Sequence, residues 1–440
     1  MADSPENPAA QPVFRFFKGA EEIIAPEGGK PFGWERAAAT VRENLGDAMN
    51  ARNVAFLLGA GCSSFLRGTD QLGVPTMKPT AEQFVGTIGA EGDKFLPTET
   101  ERAALRAALG LEISKEEYTA NLERLMEVLY SFEFVLKHSN KNDMTAVSAT
   151  VNAVISKVTK HILRCCTKGA FANGDETVCL LYQAFYRKLV YRDRALPRPW
   201  VFTTNYDLFN ETAMDRLGIP YCNGFSGTVE RRFNPATFRY SLAEQLDISS
   251  RKWTAVDSFV YLCKLHGSVS WVEENHGLFP IREMQGAADS AGRVMIYPTP
   301  AKQNASFGSP YSDLFREFQS RIVRDQSVLF VLGYSFSDEH VNNIIFQALT
   351  IPTFRMIAFV PPEAPGIVAQ LRALGDPRIW LIGGDGPAAG RQAHFFDTFI
   401  EKFMPEPPGD KVDTAISKVL QTLVARGAQA EDQDGETDDI

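Results

Sequence analysis

Four short polar segments of the sequence contain residue types that can bind phosphate or move a proton. In chain order they are Gly59–Ser63 (GAGCS), Thr203–Asp207 (TTNYD), Lys264–Ser268 (KLHGS) and Gly333–Asp338 (GYSFSD). Each directly follows a short apolar run that predicts a β-strand. Open α/β sheets bind ligands outside the carboxyl ends of their strands, so each segment is a candidate part of a ligand site.

The first segment is a glycine-rich turn. Gly59 and Gly61 allow the backbone to approach a ligand closely, with Ala60 and Ser63 completing the turn. A helix that follows such a turn would offer unpaired N–H groups to a pyrophosphate. The third glycine of the usual dinucleotide fingerprint is missing. A tight turn without a ligand is therefore an equal alternative.

The second segment places Thr204, Asn205 and Asp207 at a strand end, where polar side chains can face a ligand. Asn205 or Asp207 could instead cap a helix over about 208–217. Taken alone, this local role is the more common one.

The third and fourth segments add a proton carrier and a second turn. His266 can accept or donate a proton near neutral pH, and Gly267 leaves room beside it, although a single histidine is more often structural. Gly333 and Ser335 could hold a ribose or a phosphate, with a serine-capped helix start as the alternative. Four such turns in series are harder to explain as coincidence than any one of them.

The elements that would position these segments predict an α/β protein with a Rossmann-like, mainly parallel sheet. The apolar pattern predicts strands over 53–58, 200–204, 259–265, 293–297, 327–332, 355–360 and 378–382. It predicts helices over about 34–51, 208–217, 311–324 and 339–350. Between the first two strands, apolar residues recur every three or four positions over 122–136, 147–162 and about 176–191, which indicates a helical subdomain inserted into the sheet.

This pattern divides the chain into six parts. They are an N-terminal extension, partly disordered (1–33), the first part of a Rossmann-like domain (34–99), the inserted helical subdomain (100–192), the remainder of the Rossmann-like domain (193–400), a C-terminal helix (401–430) and an acidic disordered tail (431–440).

Composition excludes several classes of protein. The net charge of −9 and the pI near 5.4 argue against direct binding of nucleic acid. No apolar run is long enough to span a membrane, and the N-terminus does not resemble a signal peptide, so we expect a cytoplasmic protein. The six cysteines include no CxxC pair, so we expect no zinc ribbon and no other metal site. Cys165 and Cys166 are expected to be core residues of a reduced protein.

The four segments in this order resemble those of the sirtuins, the silent-information-regulator-2 family, in its prokaryotic antiviral branch. The similarity covers roughly residues 50–385. In the stretches 223–238, 261–271, 296–308 and 311–318, the chain is most similar to the sirtuin-like subunit that pairs with a HerA-type hexameric ATPase in phage defence.

The resemblance implies that NAD is the substrate and that Asn205 and His266 are required for its cleavage. It further implies NAD-binding residues at Gly59, Ala60, Gly61, Ser63, Thr204, Asp207, Gly333 and Ser335. The glycine-rich turn would hold the phosphates, and Asp207 would lie beside the nicotinamide ribose. Implied partners are further copies of the chain and a HerA-type ATPase, without membrane or direct nucleic-acid contact.

Three functions remain open at this point. The first is an NAD hydrolase that releases nicotinamide and ADP-ribose and so depletes NAD in antiviral defence. The second is a non-catalytic sensor of NAD or ADP-ribose. The third, a protein deacylase, is disfavoured because the two CxxC zinc pairs of deacylating sirtuins are missing. The segment Gly73–Met77 also lacks the Asp-Phe-Arg of their GIPDFR-like motif, which leaves open the residue that replaces the arginine.

Overall fold

A large, mainly parallel sheet covered by helices forms the centre of the protein, as the apolar runs predict. The structure is a computed structural model. It describes residues 14–24, 33–138, 145–169, 174–247, 252–274, 280–285, 293–296, 309–388 and 390–405. Residues 1–13 and 25–32 of the N-terminal extension, residues 406–430 of the predicted C-terminal helix and the predicted acidic tail lie outside these residues.

The strands of the described residues belong to four sheets. In chain order they are β1 (Phe14–Lys18), β2 (Glu21–Glu22), β3 (Asn53–Leu58), β4 (Ser64–Arg67), β5 (Asp70–Gly73), β6 (Trp200–Thr203), β7 (Tyr221–Cys222), β8 (Phe225–Ser226), β9 (Arg231–Phe233), β10 (Ala243–Asp247), β11 (Lys252–Ala255), β12 (Val260–Lys264), β13 (Gly267–Glu273), β14 (Ile281–Glu283), β15 (Arg293–Ile296), β16 (Ser327–Leu332), β17 (Arg355–Phe359) and β18 (Ile379–Gly384).

The helices lie between and beside these strands. They are α1 (Trp34–Met49), α2 (Met77–Gly86), α3 (Glu99–Leu109), α4 (Glu116–Ala120), α5 (Leu122–Lys137), α6 (Thr145–Arg164), α7 (Thr177–Leu189), α8 (Phe209–Leu217), α9 (Tyr311–Ile322), α10 (Glu339–Leu349), α11 (Ile367–Ala373) and α12 (Phe396–Thr398). None of the described helices is both long and apolar enough to cross a membrane.

The central sheet has nine strands in the order β2-β1-β18-β17-β16-β3-β6-β12-β7. The seven strands from β18 to β7 run parallel, and β1 and β2 complete one edge in antiparallel pairing. From β3 the chain proceeds to β6 on one side, while β16 occupies the other side. The strand order therefore reverses at β3, and such a switch point opens a crevice at the carboxyl ends of the strands.

Apolar side chains explain both faces of this sheet. Strands β3 and β16 are apolar at nearly every position because helices cover the two faces of the sheet. One face buries alternate residues such as Phe56 and Phe330 against α1 and α7, and the other buries Leu57 and Val331 against α9 and α10.

The inserted helices have a buried cluster of their own. It contains side chains from α2 to α6 and also Tyr206, which follows β6 of the central sheet, and Val269 of β13. The cluster begins before residue 100, since α2 contributes to it. The predicted third helix of the insert, α7, instead packs its buried side against the central sheet.

Three features of the fold differ from the sequence prediction. The N-terminal extension supplies β1, which pairs with β18 along its whole length. The predicted strand over 293–297 lies outside the central sheet, since β15 pairs antiparallel with β13 in a second sheet of five strands. No long helix follows the glycine turn. A single 3₁₀ turn over Ala60–Cys62 leads into the β4–β5 hairpin, and α2 begins only at Met77.

Candidate functional site

The parallel register brings the four polar segments to one edge of the sheet. Leu58 at the end of β3 lies opposite Thr203 of β6 and Leu332 of β16, and Thr203 lies opposite Lys264 of β12. The segments that follow these strands surround a cavity of about 510 Å³. Of the residues assigned to the site from the sequence, all but Gly59 line this cavity.

The two glycine turns contact each other directly through their backbones. The Gly59 N–H donates to the carbonyl of Leu332, and the Gly61 N–H donates to the carbonyl of Gly333, both at 2.9 Å. A Cβ atom at Gly59 would lie 2.4 Å from the Gly333 oxygen. These glycines therefore serve first to let two turns of the chain meet, and the Gly61 N–H is not available to a phosphate.

Asn205 is buried where β3 and β6 end, and hydrogen bonds hold its side-chain amide through the nitrogen atom. The Nδ2 atom donates to the Gly59 carbonyl and to Ser63 Oγ, both at 2.9 Å. Ser63 Oγ also lies 2.9 Å from the hydroxyl of Tyr182 on α7. Because both bonds use the amide nitrogen, the amide oxygen is the part of this side chain that can accept a hydrogen bond from a ligand.

Leu208 is the N-cap residue of α8, and Asp207 instead makes a local hydrogen bond just before this helix. Its Oδ1 accepts a hydrogen bond from the N–H of Phe209, 3.1 Å away, at the start of α8. The carboxylate lines the cavity but is buried, with an exposed fraction of 2%. Asp207 therefore shapes the wall of the cavity whether or not it touches a ligand.

His266 stands at the end of β12, and a carboxylate holds its ring. The imidazole Nε2 donates to Asp338 Oδ2 at 2.7 Å. The other oxygen of Asp338 accepts from the N–H of Val341 at 3.0 Å and so caps α10. The alternative of a serine-capped helix start is not found, since Asp338 is the residue that caps α10. A carboxylate fixed by its own helix can hold an imidazole in one orientation.

A second carboxylate reaches the same histidine from the inserted helices. Glu123 lies in the first turn of α5, and its Oε1 atom is 4.0 Å from Nδ1 of His266. The same oxygen accepts a hydrogen bond from the hydroxyl of Tyr206 at 3.0 Å. His266 therefore lies between two acidic groups that come from distant parts of the chain.

These contacts change the pKa values of the acidic and basic groups. Burial opposes the charged form of His266, but the hydrogen bond and charge of Asp338, together with the charge of Glu123, outweigh it and raise the pKa of the imidazole. Burial likewise opposes the charged form of Asp338, yet its contact with His266 leaves the carboxyl pKa below its ordinary value. For Glu123 burial dominates, and its pKa is raised.

The cavity lining contains a second histidine in a different environment. Burial lowers the pKa of His394 to about 4, and its Nδ1 atom is buried without a hydrogen-bond partner in the described part of the chain. Also in the lining, the exposed hydroxyls of Ser335 and Ser337 bond each other at 3.0 Å.

Lys78 is the one lysine or arginine among the described residues that line the cavity. It directly follows Gly73–Met77, the segment that lacks the Asp-Phe-Arg, and its side chain is 71% exposed.

Cys165 and Cys166 also line the cavity, and burial raises the pKa of both thiols. Within the described ranges, no group of three or more His, Cys, Asp or Glu side chains is arranged to hold a metal ion.

The fold and the site define an α/β protein with a ligand crevice at the switch point of a parallel sheet, lined by polar turns. Residues 199–373 match the family model described as SIR2-like domain. This region contains three of the four polar segments and supports a sirtuin-like family with NAD-related activity. No curated protein matches the chain.

The sequence did not assign Glu123, Lys78 or His394 to the site, and it gave Asp338 no role there. Asp338 could have been found, because it ends the fourth polar segment and precedes a predicted helix. Glu123 carries no such signal, because it lies on a helix that is remote in sequence from every polar segment.

Proposed function

We propose that this protein hydrolyses NAD at the bond between nicotinamide and ribose. The observation that carries the proposal is that Asn205 and His266, both within the region that matches the SIR2-like domain, line one cavity at the switch point. The cavity volume of about 510 Å³ lies in the range of sites that enclose small molecules.

The reaction breaks the N-glycosidic bond, and its electron pair leaves with nicotinamide. Glycosidic bonds of this kind break through an oxocarbenium-like transition state. The oxygen of a water molecule forms the new bond to the ribose carbon, and ADP-ribose results. His266 accepts the proton that the water loses, and the amide oxygen of Asn205 accepts a hydrogen bond from the water or from a ribose hydroxyl. A general base of this kind contributes about 10²–10⁴-fold to the rate.

Two features favour hydrolysis over protein deacylation. The chain lacks the CxxC pairs of deacylating sirtuins. Glu123 of the inserted helices also occupies the space beside His266, and its partly exposed carboxylate suits a site for water and hydroxyl groups better than one for an apolar acyl chain.

The test is to incubate the purified chain with NAD and to measure nicotinamide and ADP-ribose by chromatography. The wild type should release both products in equal amounts, and Asn205→Ala should not. His138→Ala is the matched control, because His138 is exposed at the end of α5 and lies outside the cavity lining.

The alternatives give different results in the same assay. Binding of NAD without nicotinamide release indicates the sensor. Nicotinamide release that depends on an added acetyl-lysine peptide, with transfer of the acetyl group, indicates a deacylase.

We also propose that the chain acts as a homo-oligomer with a HerA-type ATPase in cytoplasmic antiphage defence. The sequence resemblance supports this, and so do exposed apolar residues such as Leu246 and Trp253 on the β10–β11 hairpin. The negative charge of the chain favours DNA contact through the ATPase.

The assembly can be tested in solution. Light scattering should show a multimer, and co-expression with the ATPase should give a larger complex with a changed rate of NAD loss. A monomer that shows full activity and does not respond to the ATPase would contradict this assembly.

A further inference from the structure

The inserted helices place one carboxylate in the cavity, and the local structure fixes its position. The side-chain oxygen of Asn121 caps α5, because it accepts a hydrogen bond from the backbone N–H of Glu123 at 2.8 Å. Glu123 thus stands in the first turn, where a negative side chain is favoured by the helix dipole. Leu122 and Leu125 beside it are fully buried in the helical cluster, so the backbone that carries Glu123 is firmly packed.

The surface of contact between insert and sheet lies beside the reactive side chains. Tyr206, which directly follows Asn205, and Val269, three residues after His266, are both buried in the cluster of the inserted helices. The N–H of Val269 donates to the carbonyl of Tyr206 at 3.0 Å, which links the two segments. The Tyr206 hydroxyl then binds Glu123. A shift of the insert would therefore move Glu123 relative to His266.

We propose that Glu123 is a positioning residue for His266, supplied by the inserted helices, so that the site is complete only when the insert is docked on the sheet. This inference rests on the proposed NAD hydrolysis. Glu123 acts through the histidine: with Asp338 on the opposite ring nitrogen, it sets the orientation and the basicity of the imidazole. The insert thereby contributes to the reaction although it lies outside the region that matches the SIR2-like domain.

The charges that face the histidine come from three elements. Asp338 of the fourth polar segment and Glu123 of α5 are the acidic groups that raise its pKa. His340 of α10 lies near Asp338 and opposes its protonation. Tyr206 approaches the ring from the second segment, and Phe315 of α9 contacts it without charge. Loss of the Glu123 charge should therefore lower the pKa of His266, with Asp338 still in place.

The test compares Glu123→Gln, Glu123→Asp and Glu127→Gln. Glutamine keeps the size and can still accept the Tyr206 hydroxyl, but it removes the charge. Glu127 lies one turn further along α5 and pairs with Arg124 at the surface, so Glu127→Gln is a matched control for loss of charge. The readouts are kcat and KM for nicotinamide release, the pH profile of kcat/KM, and the titration of His266 by NMR with ring-¹³C histidine, assigned through His266→Gln.

We expect Glu123→Gln to lower kcat by about tenfold or more, with KM within about twofold of wild type. The acidic limb of the pH profile and the NMR titration of His266 should move to lower pH. Glu123→Asp keeps the charge and should retain more of the rate than Glu123→Gln. Glu127→Gln should match the wild type in every readout.

An unchanged kcat, or an unchanged titration of His266 in a folded Glu123→Gln variant, would overturn the proposal. If this variant does not fold, Tyr206→Phe removes the hydrogen bond to Glu123 and is measured in the same way; wild-type values would then overturn it. A wild-type chain without nicotinamide release overturns the proposed function instead, and the NMR titration alone then decides whether Glu123 acts on His266.

Discussion

The two histidines that line the cavity have opposite environments. His266 lies between the carboxylates of Asp338 and Glu123, and its pKa is raised in spite of burial. His394 has no described ionic partner in the cavity, and burial alone lowers its pKa to about 4. The same type of side chain thus has a raised pKa at one position of the lining and a lowered pKa at another.

The two histidines are therefore suited to different roles in the same site. A proton acceptor needs a basic nitrogen in a fixed orientation, and the hydrogen bond to Asp338 fixes the orientation of the His266 ring. A neutral imidazole in the cavity lining, such as that of His394, can instead exchange a hydrogen bond with a polar group of the ligand. We therefore assign the reaction to His266 and ligand binding to His394.

Loss of the His266 imidazole should have the largest effect. We expect His266→Gln to lower kcat for nicotinamide release by about 10²–10⁴-fold, because the general base is removed. Circular dichroism should show that the variant is folded. A kcat within a few-fold of wild type would remove His266 from the mechanism and would end the distinction between the two histidines.

Loss of the Asp338 charge should have the next largest effect, with a change in pH dependence. His266 acts as a base when neutral, so a raised pKa means that activity is lost as the pH falls through a value above the ordinary 6.5 or so of histidine. Without the carboxylate, burial dominates and lowers the pKa. We expect Asp338→Asn to move the acidic limb of kcat/KM to lower pH and to reduce its plateau by about 10- to 100-fold.

The two effects of Asp338→Asn can be separated. Asp338 also caps α10 through its other oxygen, and asparagine retains a side-chain oxygen for the cap. The melting temperature should therefore stay close to that of wild type. An acidic limb at the same pH in both proteins would show that another group controls the profile.

The meeting of the polar segments could be predicted from the sequence, because it depends on local patterns. Apolar runs predict β3, β6, β12 and β16, and the carboxyl ends of parallel strands lie on one edge of a sheet. The match of residues 199–373 to the SIR2-like domain supports the same family as the sequence resemblance. The roles of Asn205 and His266 remain predictions.

The remaining features depend on tertiary packing that leaves no local pattern. Glu123 reaches His266 only because the inserted helices pack on Tyr206 and Val269. Strand β1 was missed because its neighbour in the sheet, β18, lies at the other end of the chain. A hairpin stands where a helix was expected after Gly61, because a glycine turn permits several continuations that the local sequence does not distinguish.

A substitution of the second histidine in the lining should affect binding more than rate. We expect His394→Ala to raise KM for NAD by about two- to tenfold, which corresponds to one hydrogen bond, and to leave kcat nearly unchanged. The pH profile above pH 5 should be that of the wild type, because a group with a pKa of about 4 is already neutral there. A large fall in kcat with unchanged KM would reverse our assignment of the two histidines.

Substitution of Lys78 should have the smallest effect on KM and tests one specific interaction. Lys78 is the cation of the described cavity lining that is neither buried nor a histidine. Its ammonium group is exposed and lies 3.9 Å from Glu82 on the same helix. An exposed charge contributes little to binding, so Lys78→Gln should raise KM for NAD by about two- to fivefold at low salt. Attraction between exposed charges is screened within about 10 Å at 0.1 M salt, and the difference from wild type should disappear as salt is added. The effect of His394→Ala should persist under the same conditions, because a buried hydrogen bond is not screened.

The control for Lys78→Gln is Lys137→Gln, since Lys137 is an exposed lysine on α5 outside the cavity lining. If Lys78→Gln changes KM equally at low and high salt, Lys78 acts by direct contact with the substrate and belongs with His394. If it leaves KM unchanged at low salt, the phosphates of NAD lie away from α2, and the polar turns at Ser63 and Ser335 are then the groups that hold them.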